Sequence, residues 1–169
     1  MNHKELKFLI KEGEGLTVEF KEKHTSKIDQ DIVAFANTKG GKLILGITDN
    51  SVIIGEKLTN NLKAQIVDIA KNCHPSINIT VKSFNNVIVI EVPEGDEKPY
   101  CCSSGYYRRL DAITQKMNPK EIRLMYHENA HISFEEKIRN DFTINDISFD
   151  KVKKFLTEAK INILLNRSN

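Results

Sequence analysis

Lys42-Leu43-Ile44-Leu45-Gly46-Ile47-Thr48 decides the fold, because Leu and Ile occupy both faces of a stretch of strand length. A strand that is apolar on both sides must be covered on both sides, so it belongs inside a sheet. Upstream, Thr17–Glu22 alternates. Val18 and Phe20 fall on one face and Thr17, Glu19 and Lys21 on the other, the pattern of a half-buried strand. Between the two, Ile28, Ile32, Phe35 and Ala36 recur at helical spacing. Thr25 and Ser26, with Asp29 after them, predict a capping box at the start of that helix. Asn37-Thr38-Lys39-Gly40-Gly41 predicts its exit, since these residues tolerate positive φ.

Working outward, Leu6, Leu9 and Ile10 predict a short helix over 4–11. Asp49-Asn50 makes a turn into a short strand at Val52–Ile54. Leu62, Ile66, Ile69, Ala70 and Cys73 mark a helix that starts near Thr59 and stops before Pro75. Ile77, Ile79 and Val81 alternate, and Asn85-Asn86 turns the chain into Val87–Val92 as a hairpin. A second hairpin is predicted from Tyr100–Cys102 and Tyr106–Leu110 around Ser103-Ser104-Gly105, and Asn118-Pro119 opens a helix running to about Tyr126. Periodicity then weakens from Ile132 to Asp146, before Phe149, Val152, Phe155 and Leu156 give one more amphipathic helix. The expectation is an α+β domain over 1–127, with a mixed or antiparallel sheet and flanking helices, followed by a helical extension over 128–169. The apolar group Ile161-Asn162-Ile163-Leu164-Leu165 suggests that this extension leads into a further C-terminal region.

With 169 residues, 40% of them hydrophobic and 28% charged, the chain can bury a core and is not disordered throughout. The net charge of +2 is uninformative, so only local clusters of charge can point to partners. No apolar run approaches the ~20 residues of a membrane helix, and the start lacks the apolar core of a secretory signal. Cys73, Cys101 and Cys102 are odd in number and two are adjacent, which reads as structural thiols in a cytoplasmic protein.

Two constellations can carry chemistry. Glu14, Glu19 and Asp49 lie near strand ends and converge if the two strands are neighbours; three carboxylates would suit Mg²⁺ or Mn²⁺, which can activate water against a phosphodiester. The plainer reading makes Glu14 and Glu19 solvated acids and Asp49 a turn residue. The second constellation is basic: Lys98, Arg108, Arg109, Lys116, Lys120 and Arg123 against only Asp111 and Glu121, interleaved with Tyr100, Tyr106 and Tyr107. Cations meet phosphates and aromatic rings stack on bases, so the mixture suits nucleic acid. Arg108 and Arg109 point to opposite faces of their strand, and only one of those faces can meet a ligand if the other packs on the core. Lys21, Lys23, Lys39 and Lys42 would extend the positive surface; the plainer alternative is a solvated charged face. Asn37-Thr38-Lys39-Gly40-Gly41 is not a phosphate loop, because it follows a helix and precedes a strand. The five histidines are scattered and supply no zinc set.

Glu14-Gly15-Leu16-Thr17-Val18-Glu19-Phe20-Lys21-Glu22, then Ala34-Phe35-Ala36-Asn37-Thr38-Lys39-Gly40-Gly41 and Gly46-Ile47-Thr48-Asp49, resemble the Schlafen Alba-like (AlbA_2) family. Tyr107-Arg108-Arg109, Thr114 and Asn118-Pro119 resemble its closing segment, although Asp111 stands where family members usually have Gly. The resemblance covers about residues 5–127. It implies an Alba-like α+β fold and nucleic-acid binding within a transcriptional-regulator-like protein, often with a C-terminal ATPase-like domain. Binding would use Lys21, Lys39, Lys42, Arg108, Arg109 and Lys116 and need no cofactor. Related animal domains are metal-dependent endoribonucleases. Glu14, Glu19 and Asp49 match their acidic residues by position, with Mg²⁺ or Mn²⁺ as the implied ion. Those enzymes carry two such modules, so a homodimer would complete this one. A protein-interaction or dimerisation module is the third reading.

Overall fold

The computed structural model describes residues 3–130 and 147–159. The chain divides into two compact units, Met1–His131 and Ile132–Asn169. In the first unit, β2 (Gly41–Leu45) is interior, as its two apolar faces require: it pairs in parallel with β1 (Val18–Lys21) and antiparallel with β4 (Val87–Val92). β3 (Thr80–Phe84) closes the other side, giving the order β1-β2-β4-β3. The sheet is therefore mixed, and the domain is α+β. Asn85 and Asn86 turn the β3–β4 hairpin with φ of 48° and 63°.

Each face of β2 has its own core. Leu43 and Leu45 join Ile88 and Ile90 beneath α2 (Ile28–Ala36) and α3 (Asn60–Lys71), against Ile32, Phe35 and Ile66. Ile44 and Ile47 join Val18, Phe20 and Val89 beneath α1 (His3–Glu12), which contributes Leu6. Helices thus cover both sides of the sheet. α3 is capped by Thr59, whose hydroxyl accepts from the Leu62 amide at 3.1 Å. α2 lacks the expected capping box: its cap residue is Lys27, without a side-chain cap bond, and Asp29 accepts from the Gln30 amide instead. Nearly every residue of α2 is buried, so packing holds this helix where the cap does not.

The second hairpin is displaced from its expected place. Around Ser103 and Ser104 there is only an isolated bridge between Cys102 and Gly105. The paired strands are β5 (Tyr107–Leu110) and β6 (Ile113–Lys116), turning at Asp111-Ala112. Asp111 adopts φ 55°, a conformation that glycine takes more readily. Val52–Ile54 likewise forms only a bridge, between Ile53 and Ile47. α4 (Pro119–Ala130) runs past residue 127, and in the second unit α5 (Phe149–Glu158) forms where Phe149, Val152, Phe155 and Leu156 predicted it. The expectations for Ile132–Asp146 and for Ile161–Leu165 lie outside the described residues.

The loop after α2 ties the ribbon to the core. The buried Asn37 side-chain amide donates to the carbonyls of Tyr100 (2.8 Å) and Tyr107 (2.9 Å), and its Oδ1 accepts from the Tyr100 amide at 2.7 Å. The Thr38 hydroxyl accepts from the Arg109 amide at 3.0 Å and donates to the Ala34 carbonyl. Gly40 turns the chain at φ +66°, and a Cβ there would lie 2.6 Å from the Glu94 nitrogen. A Cβ on Gly41 would lie 2.5 Å from the Phe35 ring. Asn37→Ala leaves three backbone groups without their partner, and we expect it to cost about 2–4 kcal/mol in urea unfolding. A loss below about 1 kcal/mol would show that water replaces the amide at this site.

Candidate nucleic-acid interface

β1 places Glu19 and Lys21 toward α2, and the β5–β6 ribbon lies across the same place. Five side chains close into a ring there. Arg109 Nη1 donates to Glu19 Oε2 and to Thr114 Oγ1, each at 2.8 Å. Thr114 donates to Asp31 Oδ1 at 2.6 Å, Asp31 Oδ2 is 4.0 Å from Lys21 Nζ, and Lys21 donates to Glu19 Oε1. The Arg109 side chain is 0% exposed. Its Nη2 donates to the Gly15 carbonyl at 2.8 Å, and its guanidinium carbon sits 5.0 Å from the centre of the Phe35 ring.

Two cations and two carboxylates balance in the ring, which makes its burial tolerable. Burial raises the Asp31 pKa, and the Thr114 hydrogen bond and Lys21 only partly reverse this. Burial pulls the Lys21 ammonium down, but the Glu19 hydrogen bond and the Asp31 charge outweigh it and leave the pKa raised. Glu14 is raised mainly by burial, against the lowering effect of the Phe20 amide, with Glu19 and Asp49 adding repulsion.

Glu19 and Lys21 were expected on a solvated face, yet Glu19 is buried and Lys21 is half-buried. Arg109 was expected to contact phosphate, and it is instead enclosed by protein. Two further cations are partnered at the surface: Lys42 with Glu5 at 3.3 Å, and Arg108 with Glu121 at 2.6 Å. Glu121 also accepts from the Asn118 amide, while Asn118 Oδ1 accepts from the Lys120 and Glu121 amides. This capping box starts α4 and docks it on β5 through Arg108. Lys39 and Lys116 are exposed and make no ion pair among the described residues; Lys116 lies 6.0 Å from the Tyr107 ring. Lys39 lines a shallow hollow with Lys42, Leu9 and Thr17, apart from the ribbon.

The residues present do not fit a divalent cation. Glu19 spends one carboxylate oxygen on Lys21 and the other on Arg109, and Glu14 Oε1 accepts from the Phe20 amide at 2.8 Å. Asp49 is exposed in the turn after β2. Among the described residues, no group of three or more His, Cys, Asp or Glu is arranged to hold a metal. The two basic side chains stand where an ion would have to bring charge.

The sequence profile described as Schlafen, AlbA_2 matches residues 14–118, a span that contains every member of the ring. The chain belongs to this family. No curated protein matches it. Among solved structures it is similar to the DIP2311 protein of Corynebacterium diphtheriae, with 20% identity over 69% of this chain and a TM-score of 0.49. The match spans 24% of that protein. No described helix is long and apolar enough to cross a membrane.

Sequence reading missed Asp31. Its signal was available: it is an acid in a short helix apolar almost all round, where a charge is buried and must be paired. Arg109→Ala leaves Glu19 and Asp31 short of positive charge, and we expect a loss of about 3–5 kcal/mol in urea unfolding. The double variant Glu19→Leu/Arg109→Met should lose less than the sum of its two single changes, and strict additivity would show that the two side chains do not couple.

A carboxyl that holds its proton more tightly in the folded state stabilises the fold fully below its ordinary pKa, 3.8 for Asp31. That contribution is lost as pH rises through the raised folded value. Unfolding midpoints of wild type relative to Asp31→Asn should therefore fall as pH climbs from 3.8 through the mildly acidic range. Parallel curves would place the Asp31 pKa at its ordinary value.

Proposed function

We propose that this module binds nucleic acid, with duplex DNA as the first candidate, as the binding domain of a transcriptional regulator. The observation that carries the reading is the set of cations left over once the internal pairs are subtracted. Lys116 at the end of β6, and Lys120 and Arg123 on α4, are exposed and make no ion pair among the described residues. Lys120, Arg123 and His127 recur on one face of α4, and Tyr126 lies beside them, its hydroxyl 3.2 Å from that of Tyr106. Exposed cations supply phosphate contacts, and an exposed ring supplies a stacking surface. Family membership supports the same reading. Lys39 adds charge from the loop after α2, whereas Lys42 and Arg108 would first have to release their carboxylates. Arg109 drops out of the interface and becomes part of its support.

The family resemblance keeps a nuclease as the second reading, although Glu19 is already engaged by Lys21 and Arg109. The exposed Leu110 and Ile113 at the ribbon tip suit instead a protein contact, with a second copy as one candidate.

Fluorescence anisotropy with duplex DNA across a salt series tests the proposal. Affinity should fall with a log-log slope of about −0.9 per phosphate neutralised. The triple variant Lys116→Ala/Lys120→Ala/Arg123→Ala should flatten the slope by roughly 2 to 3. Salt-independent affinity, or an unchanged slope in the folded variant, overturns the reading. Cleavage of structured RNA with Mn²⁺ that is lost in Glu14→Gln would move the assignment to the nuclease.

A further inference from the structure

The fold brings together two cysteines that lie far apart in sequence. The His74 amide donates to the Cys101 carbonyl and the Cys101 amide donates to the His74 carbonyl, both at 2.8 Å. This reciprocal exchange is an isolated antiparallel bridge, and it is flanked on one side by Cys73, at the end of α3, and by Cys102, whose backbone pairs with Gly105. In regular pairing, residues that flank such a bridge have Cα atoms about 4.5 Å apart, within the range of roughly 4.4–6.8 Å that a disulfide spans.

Their surroundings agree. Cys73 is buried in the core beneath α2 and α3, and Cys102 packs against the same cluster. Cys101, the bridge residue between them, is half-buried. All three thiols are free.

We propose that Cys73 and Cys102 are a redox-responsive pair that closes into an intramolecular disulfide when the protein meets a peroxide. Cys102 is the more accessible of the two and reacts first. Its thiolate attacks one peroxide oxygen, the O–O bond breaks, and a sulfenic acid and water form. The Cys73 sulfur then attacks the Cys102 sulfur, the S–O bond breaks, and a second water leaves. Two thiols thus lose two hydrogens and two electrons to one peroxide, giving one S–S bond.

Burial pushes the Cys73 thiol up to about 12 and raises Cys102 as well, against hydrogen bonds from Ser104 and with Asp29 nearby. The bond would join the end of α3 to the segment that enters β5, bracing the base of the ribbon. The inference is independent of the nucleic-acid reading.

The test treats the whole chain with hydrogen peroxide in the presence of a chelator, blocks free thiols, and maps the digest by mass spectrometry without reductant. The expected result is a peptide linking Cys73 to Cys102 within one chain, present in Cys101→Ser, absent in Cys73→Ser, and accompanied by a higher urea midpoint that reductant reverses. Linkage through Cys101, linkage only between chains, or sulfinic acid without any linkage overturns it. A parallel arm without chelator has its own reading: protection of the thiols there, lifted by chelation, would make the cluster a metal site and not a redox pair.

Discussion

The buried guanidinium of Arg109 is the constraint on which the rest of the domain depends. A two-stranded ribbon is marginal by itself, and among the described residues β5–β6 has no third strand beside it. It is held by what it sends inward. Arg109 reaches Glu19 on β1 and the Gly15 carbonyl just before it, while Thr114 reaches Asp31 on α2. Desolvating a guanidinium is costly, and the cost is offset because every acid in the ring faces a cation and the two terminal nitrogens make four contacts at once, although the buried Nε has no partner among the described residues. The same contacts shield an edge strand. Arg109 occupies the Val18 carbonyl and Glu14 takes the Phe20 amide, so the outer edge of β1 is partly closed to another chain.

This division of charge separates support from binding. Carboxylates are assigned to particular cations: Glu19 to Lys21 and Arg109, Glu5 to Lys42, Glu121 to Arg108, and Glu94 to Lys98. Once these pairs are removed, the positive charge near the ribbon resides in Lys116, Lys120 and Arg123. Glu121 links the two roles, since it caps α4 and also pins that helix to β5, so Lys120 and Arg123 are carried on a fixed element rather than on a loose tail.

Most of the fold was legible because hydrophobic periodicity is a local signal. The two-sided apolar stretch at Lys42–Thr48 located the interior strand, Asn85-Asn86 located a hairpin, and Thr59 and Asn118 located helix starts. What failed was decided by distant partners. Thr25 and Ser26 carry a capping pattern, but α2 is held by packing on both the sheet and the ribbon, so its start follows the core. Ser103-Ser104-Gly105 offers good turn chemistry, yet the pairing went to Asp111-Ala112, because placing Arg109 and Thr114 opposite each other lets both enter the ring.

The site was least legible for the same reason. In strand β5, Tyr107 and Arg109 point inward while Arg108 and Leu110 point outward. Alternation says only that Arg108 and Arg109 part company; it does not say which is buried. That choice lies with residues far away, namely the Asp31 and Glu19 carboxylates waiting on α2 and β1 and the Phe35 ring beneath the guanidinium. A shift of the ribbon by one residue would bury Arg108, expose Arg109, and turn Tyr107 out of the core. Asn37 and Thr38 resist that shift through backbone bonds to Tyr107 and Arg109, which are indifferent to side-chain identity and therefore fix register directly. The Asn-Thr pair that ends α2 thus selects which arginine supports the fold and which faces solvent.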